Sequence, residues 1–147
     1  MIVKSLDHLS LLSQKVANQL NNNDCIYLIG EIGVGKTTFT RYLINYLQKK
    51  KGEQITEVLS PTFNLLYEYD LKNLKIMHYD LYRIREEKEL KHLGIFANNE
   101  DAIKIIEWPQ LINTPLSDKL EVHIKYGKSE NERIVKFIGS GKWQDFK

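Results

Sequence analysis

Residues 25–43 read CIYLIGEIGVGKTTFTRYL, and their pattern changes twice within the stretch. The first five are almost wholly apolar, the composition of a short strand covered on both faces. Glycines follow at 30, 33 and 35, then Lys36, Thr37 and Thr38. From there Phe39, Leu43 and Leu47 recur every four residues, which predicts a helix. Gly30, Gly35, Lys36 and Thr37 satisfy the spacing G-x-x-x-x-G-K-[ST]. At ordinary residue usage that spacing arises by chance in about one chain of this length in 200, and a preceding strand plus a following helix make chance rarer still. The stretch therefore reads as a phosphate cradle, against the competing reading of a surface glycine turn with an exposed lysine. Small residues let backbone N–H groups turn inward around a polyphosphate, and a helix N-terminus adds a positive dipole end. Ile32, Gly33, Val34, Gly35, Lys36, Thr37 and Thr38 are the expected cradle. Lys36 is expected at the β- and γ-phosphates, the Thr37 hydroxyl on Mg2+ and Thr38 near the α-phosphate.

A cradle of this kind needs a further acid from the end of a neighbouring strand. Asp80, ending KIMHYD, and Glu107, ending IKIIE, both close apolar runs. Glu107 follows the stronger buried-strand pattern, while Asp80 shares a strand face with Ile76 and His78. One would hold the metal and the other would orient water, and the pattern leaves open which does which. Each could instead be a plain surface carboxylate. Between the cradle helix and the next strands lies SPTF, with Ser60, Pro61 and Thr62 placed as a switch segment; a strand-entry turn is the competing reading. Arg83 and Arg85 could approach phosphate charge or pair with the acidic segment after them. Trp108, beside Glu107, packs in the core or borders the site. The guanine-reading sequence Asn-Lys-x-Asp does not occur, which leans the nucleotide toward ATP.

The rest of the chain supplies an α/β frame. Leu6, Leu9, Leu12, Val16 and Leu20 predict a helix over 6–20, stopped by NNND. Residues 63–81 predict an aromatic-rich antiparallel hairpin turning near 71–73, and REEKELKHLGI a short helix stopped by Gly94. AIKIIE is a further buried strand ended by Pro109. KLEVHIKYG and ERIVKFIG alternate around KSEN as a second hairpin. The expected architecture is one domain over residues 1–147, a three-layer α/β fold of the P-loop NTPase type, its mixed sheet carrying antiparallel hairpins at the edges.

Composition narrows the classes. At 147 residues with 42% hydrophobic and 27% charged content, the chain has the profile of a soluble globular protein. No apolar run approaches the ~20 residues that span a bilayer, and the first residues show no secretory pattern. The single cysteine, Cys25, falls in a core strand and cannot close an internal disulfide; a cytoplasmic location and no membrane partner are expected. The net charge of +2 is too small to argue for nucleic-acid binding. Residues 119–147 hold seven Lys/Arg against four acids, the balance of a solvated face. Lys49, Lys50 and Lys51 suit a helix C-terminus. No Cys/His spacing points to zinc.

Taken together, GEIGVGKTTFTR, SPTFNLLYEY, HYDLYRI, the EL…LGI segment and IIEWPQ resemble the bacterial TsaE (YjeE) family in order and spacing, over residues ~25 to ~127. The conjunction of EWP and DLYR behind the cradle is far more specific than the cradle alone. The resemblance implies a small Mg2+-dependent ATPase that serves formation of threonylcarbamoyladenosine (t6A) in tRNA without transferring the carbamoyl group. It implies a TsaB–TsaD heterodimer as partner, tRNA being met only through that complex, with ATP hydrolysis resetting the assembly. Carried onto this chain, Thr37 and Glu107 are magnesium ligands, Asp80 a further catalytic or metal-linked acid, residues 32–38 the phosphate site, and Ser60 to Thr62 the switch. Where the family's first helix commonly carries a threonine near adenine, this chain has Leu9 with Ser10 beside it, so no side-chain contact to the base is expected there.

Two rivals from other classes remain. A small-molecule kinase would need an acceptor pocket and an arginine-rich lid, for which only YRIREEK is available. A direct RNA binder would need more positive charge than the chain carries.

Overall fold

The computed structural model describes residues 1–97, 101–114, 116 and 118–147. Among these residues seven strands join one sheet: β1 (Ile2–Val3), β2 (Cys25–Ile29), β3 (Leu66–Leu71), β4 (Leu74–Asp80), β5 (Ala102–Glu107), β6 (Lys119–Tyr126) and β7 (Arg133–Gly139). Their order is β1-β7-β6-β2-β5-β4-β3. The centre is parallel, with β2 between β5 and β6 and β4 beyond β5. The edges are antiparallel: β3 folds back on β4, and β7 on β6. This is the mixed sheet with edge hairpins that the alternation patterns predict.

Two helices cover one face, α1 (Leu6–Ala17) and α2 (Lys36–Lys50). Ser5 caps α1, its Oγ accepting from the His8 N–H at 3.1 Å. The helix stops at Ala17, short of the expected residue 20. Asp24 closes the polar turn behind it, accepting from the Asn21 N–H at 2.7 Å and pairing with Lys142. Leu20 still packs on the core from outside the helix. Leu9, Leu12, Val16, Phe39, Leu43 and Leu47 bury their stripe against Ile26, Leu28, Ile103, Ile105 and Val122. The opposite face is covered by a 3-10 helix, Glu87–Leu93, and the coils around it. Leu90 and Ile95 lie there against Tyr27, Met77, Tyr79 and Ile106. The REEKELKHLGI segment is thus helical, but wound tighter than an α-helix.

That second face also holds a buried amine. Lys104 on β5 donates to the carbonyls of Ile95 and Ala97 at 2.8 and 2.9 Å, tying the covering coil to the sheet. Burial lowers the pKa of its ammonium. Cys25 is buried too, its thiol pushed up to about 12 by burial, which leaves it an inert core side chain. Among the described residues no helix is long and apolar enough to cross a membrane.

Two features escape periodicity. The edge strand β1 has two residues, too few for a pattern, and is held by pairing to Arg133 and Ile134. The first hairpin strand begins at Leu66 rather than Phe63, because residues 61–65 close a turn in which the Leu65 N–H donates to the Pro61 carbonyl at 2.7 Å.

Gly30, where β2 enters the loop, is packed to the limit. A Cβ there would stand 2.4 Å from the Ile124 carbonyl oxygen and 2.8 Å from Val34 Cγ1. Gly30→Ala is expected to destabilise the protein by roughly 1–3 kcal/mol through overpacking. Urea unfolding followed by circular dichroism checks it, and an unchanged midpoint would show that β6 gives way freely.

Candidate functional site

The site forms where the parallel strands end. Leu28 of β2 pairs with Glu107 of β5, and Glu107 with Asp80 of β4. The two acids are therefore adjacent on neighbouring strands, beside the point where β2 runs into its glycine loop. Carboxyl ends of parallel strands are where open α/β sheets build ligand clefts. The loop then delivers Lys36 and Thr37 on the first turn of α2, with Gly35 at φ 122°, a conformation that a side chain would strain.

Four polar side chains converge there. Lys36 is 5% exposed, Asp80 4% and Glu107 2%. The Lys36 ammonium donates to the carbonyls of Gly30 and Glu31, both at 2.7 Å, and lies 4.5 Å from the Trp108 ring centroid. The Thr37 hydroxyl donates to Glu107, 3.1 Å from one carboxylate oxygen and 3.2 Å from the other. Asp80 accepts from Thr62 Oγ1 at 3.0 Å and from the Tyr82 N–H at 3.0 Å. Ser60 Oγ and Thr62 Oγ1 are 2.8 Å apart, so the SPTF turn is linked through Thr62 to the acid on β4. These groups surround a cavity of about 200 Å³ whose mouth carries Ile32, Tyr82 and Trp108.

Trp108 owes its position to strained backbone. Its φ of 59° is left-handed, at a cost of about 1–3 kcal/mol for a bulky residue. That turn sends the chain from β5 into Pro109 and lays the indole against Tyr82, ring centroids 4.9 Å apart. Arg83 is not in the cavity; its guanidinium lies over the Phe63 ring at 5.2 Å.

A second cavity, about 450 Å³, opens on the other side of the loop, lined by Val3, Leu9, Gly33, Gly35, Thr38 and Arg133 among others. Gly33 borders both. The loop between them is braced from the distant hairpin: Tyr126 Oη donates to the Ile32 carbonyl and Arg133 Nε to the Val34 carbonyl, both at 2.9 Å. Arg133 also stacks on Tyr126 at 4.6 Å. Neither residue carries a local signal, since each reaches the loop from more than ninety positions away in sequence. His78, by contrast, was within reach of the alternation that picks out Asp80. It shares that strand face and sits 2.7 Å from Glu107.

A sequence profile of the family described as "Threonylcarbamoyl adenosine biosynthesis protein TsaE" matches residues 3–135. The chain belongs to the TsaE family. Proteins bearing the name "tRNA threonylcarbamoyladenosine biosynthesis protein TsaE" resemble it along most of its length. That of Rickettsia felis is 35% identical over 94% of this chain and 78% of its own, and that of Aquifex aeolicus 32% identical over 92% of each. The Bacillus subtilis relative is 32% identical over 80% of this chain and 71% of its own. Among solved structures, the crystal structure of Bacillus subtilis YdiB shares the fold, with a TM-score of 0.71 at 24% identity over 97% of this chain and 85% of that one. As a TsaE-family chain with this fold, the protein is a nucleotide-binding protein.

The donor set fits a magnesium nucleotide. Among the described residues no group of three or more His, Cys, Asp or Glu is arranged to hold a metal unaided. One hydroxyl beside one or two carboxylates is instead what Mg2+ uses when phosphates and water complete its shell.

The ligand-free charges are uncomfortable. Burial, opposed by Glu107 and Asp80, lowers the pKa of Lys36. Burial also raises that of Asp80, and Glu107 adds to the rise against the bonds from Tyr82 and Thr62. An acid raised on folding adds stability that is complete below its ordinary value of about 3.9 and is lost as pH climbs through the raised value. Asp80→Asn is therefore expected to make the ligand-free protein more stable than wild type at neutral pH, with the advantage shrinking on acidification. Paired denaturation curves at several pH values check this; an advantage that grows toward acid would reverse the assigned sign.

Proposed function

We propose that this chain is a weak Mg2+-dependent ATPase, an accessory subunit of tRNA t6A formation that acts on a TsaB–TsaD heterodimer as a nucleotide-driven switch. The observation that carries the reading is the contact of Thr37 with Glu107, across 70 positions of sequence, inside a cavity shared with Lys36 and Asp80. The names of the relatives support the pathway. The partner and the cytoplasmic setting follow from the family resemblance.

In this reading residues 32–38 hold the phosphates, and Lys36 neutralises charge at the β- and γ-positions. Thr37 and Glu107 would hold Mg2+, which when bound supplies neutralisation of the phosphate oxygens as the terminal bond breaks. Asp80 would orient the attacking water: it lines the same cavity as Glu107, and Thr62 and the Tyr82 N–H hold its carboxylate in place. Trp108 restricts Lys36 to the loop side of the cavity and helps to keep bulk water out. The larger cavity beyond Gly33 is the place for the nucleoside, and Leu9 offers it an apolar wall. Ser60, Pro61 and Thr62 are the switch: a γ-phosphate drawing on Thr62 competes with Asp80 for its hydroxyl, so the turn reports nucleotide state to a partner surface.

Lys36→Ala and Glu107→Ala are each expected to lower ATP hydrolysis at least 100-fold while the fold persists. Phosphate release by the purified chain measures it, with circular dichroism as the folding control. Wild-type turnover in the Glu107 variant would overturn the metal assignment. Phosphate should be released with no acceptor present, at a rate unmoved by a panel of metabolites; acceptor-dependent turnover would favour a kinase.

A further inference from the structure

His78 is a buried polar side chain that this chemistry leaves without a role. It lies on β4, two residues before Asp80, fully buried between Tyr67 on one neighbouring strand and Ile105 on the other. Its Nε2 is 2.7 Å from Glu107 Oε2, and the Glu107 side chain is itself 3% exposed. Its other nitrogen, Nδ1, is buried with no hydrogen-bond partner among the described residues. A carboxylate oxygen accepts, so the contact places a proton on Nε2, which donates to Glu107, while Nδ1 is left without a partner. An aliphatic side chain in this layer would avoid stranding that atom. Among the described residues the ring's hydrogen bond is to Glu107.

Among the described residues Glu107 has two side-chain donors. Thr37 lies across the carboxylate, near-equidistant from its oxygens, and so leaves the two interchangeable. His78 bonds one oxygen only and breaks the symmetry: Oε2 is committed to the ring, and Oε1 is left toward Thr37 and the cavity. Carboxylates that bind metals are commonly fixed by such outer partners. We propose that His78 is a positioning residue, its Nε2–H bond pinning Glu107 so that Oε1 is presented for Mg2+ beside the Thr37 hydroxyl. The inference rests on the reading of Glu107 as a magnesium ligand and adds the group that orients it.

The test measures the Mg2+ concentration needed to tighten ADP binding, by calorimetry on the purified chain, alongside ADP affinity without metal. His78→Leu is expected to keep the metal-free affinity and to need about 10- to 100-fold more Mg2+. His78→Gln, which restores a side-chain N–H of similar reach, should recover most of the loss. A wild-type Mg2+ requirement in a folded His78→Leu protein overturns the proposal, as does equal loss in the Leu and Gln variants. Glu107→Gln separates the two levels of inference. If that variant keeps the wild-type requirement, the metal reading falls and the His78 role falls with it. If it loses Mg2+ dependence while His78→Leu does not, only the His78 role falls. Should His78→Leu fail to fold, nitrogen-15 spectra of the wild-type imidazoles decide: the Nε2–H of His78 should persist, slow to exchange, with Mg·ADP bound, and its disappearance overturns the proposal.

Discussion

The site depends on a register. Three parallel strands end level, so that Leu28, Glu107 and Asp80 line up across β2, β5 and β4 one step below the glycine loop. A two-residue slip of β5 would keep its alternation and lift or drop Glu107 by about 7 Å, out of reach of Thr37. Burial of AIKIIE on both faces resists the slip, since Ile103 and Ile105 pack in one core layer and Ala102 and Ile106 in the other. The Lys104 tether to the covering coil adds a polar lock on the same strand.

Around that register, charge is concentrated where water is scarce. Lys36 has neutral carbonyls rather than a carboxylate as its closest partners, and the two acids stand side by side, held by the Thr37 and Thr62 hydroxyls and, for Glu107, the buried His78 ring. Such an arrangement is costly without a ligand and favourable with an anion on one side and a cation on the other. Strain at Trp108 and overpacking risk at Gly30 belong to the same logic. Stability is given up at the loop and the strand end, where groups must stay fixed, and is supplied by the helix-covered core away from them.

Much of this frame was legible in sequence because it is written in local periodicity. The CIYLI strand, the helix from Lys36, both hairpins and the two acid-terminated strands follow from apolar spacing, and the loop from its glycines and lysine. The meeting of Lys36, Thr37, Asp80 and Glu107 follows from placing those acids at the ends of parallel strands. What was not legible is long-range. Nothing near Tyr126 or Arg133 tells that they hold the loop carbonyls, and a two-residue edge strand has no period to detect. The left-handed turn at Trp108 is unexpected for an aromatic residue and is imposed by the chain's exit from β5. The tighter winding of Glu87–Leu93 lay beyond what apolar spacing distinguishes.

The functional account reduces to a cradle and a shared cation: backbone amides between Ile29 and Thr38 around a triphosphate, with Mg2+ between Thr37 and Glu107. Both parts are tested at once by calorimetric titration of the wild-type chain with Mg·ATP. The account predicts saturable binding at a single site, weakened when Mg2+ is chelated. No detectable heat at millimolar Mg·ATP with well-folded protein, with Mg·ADP equally silent, would contradict it.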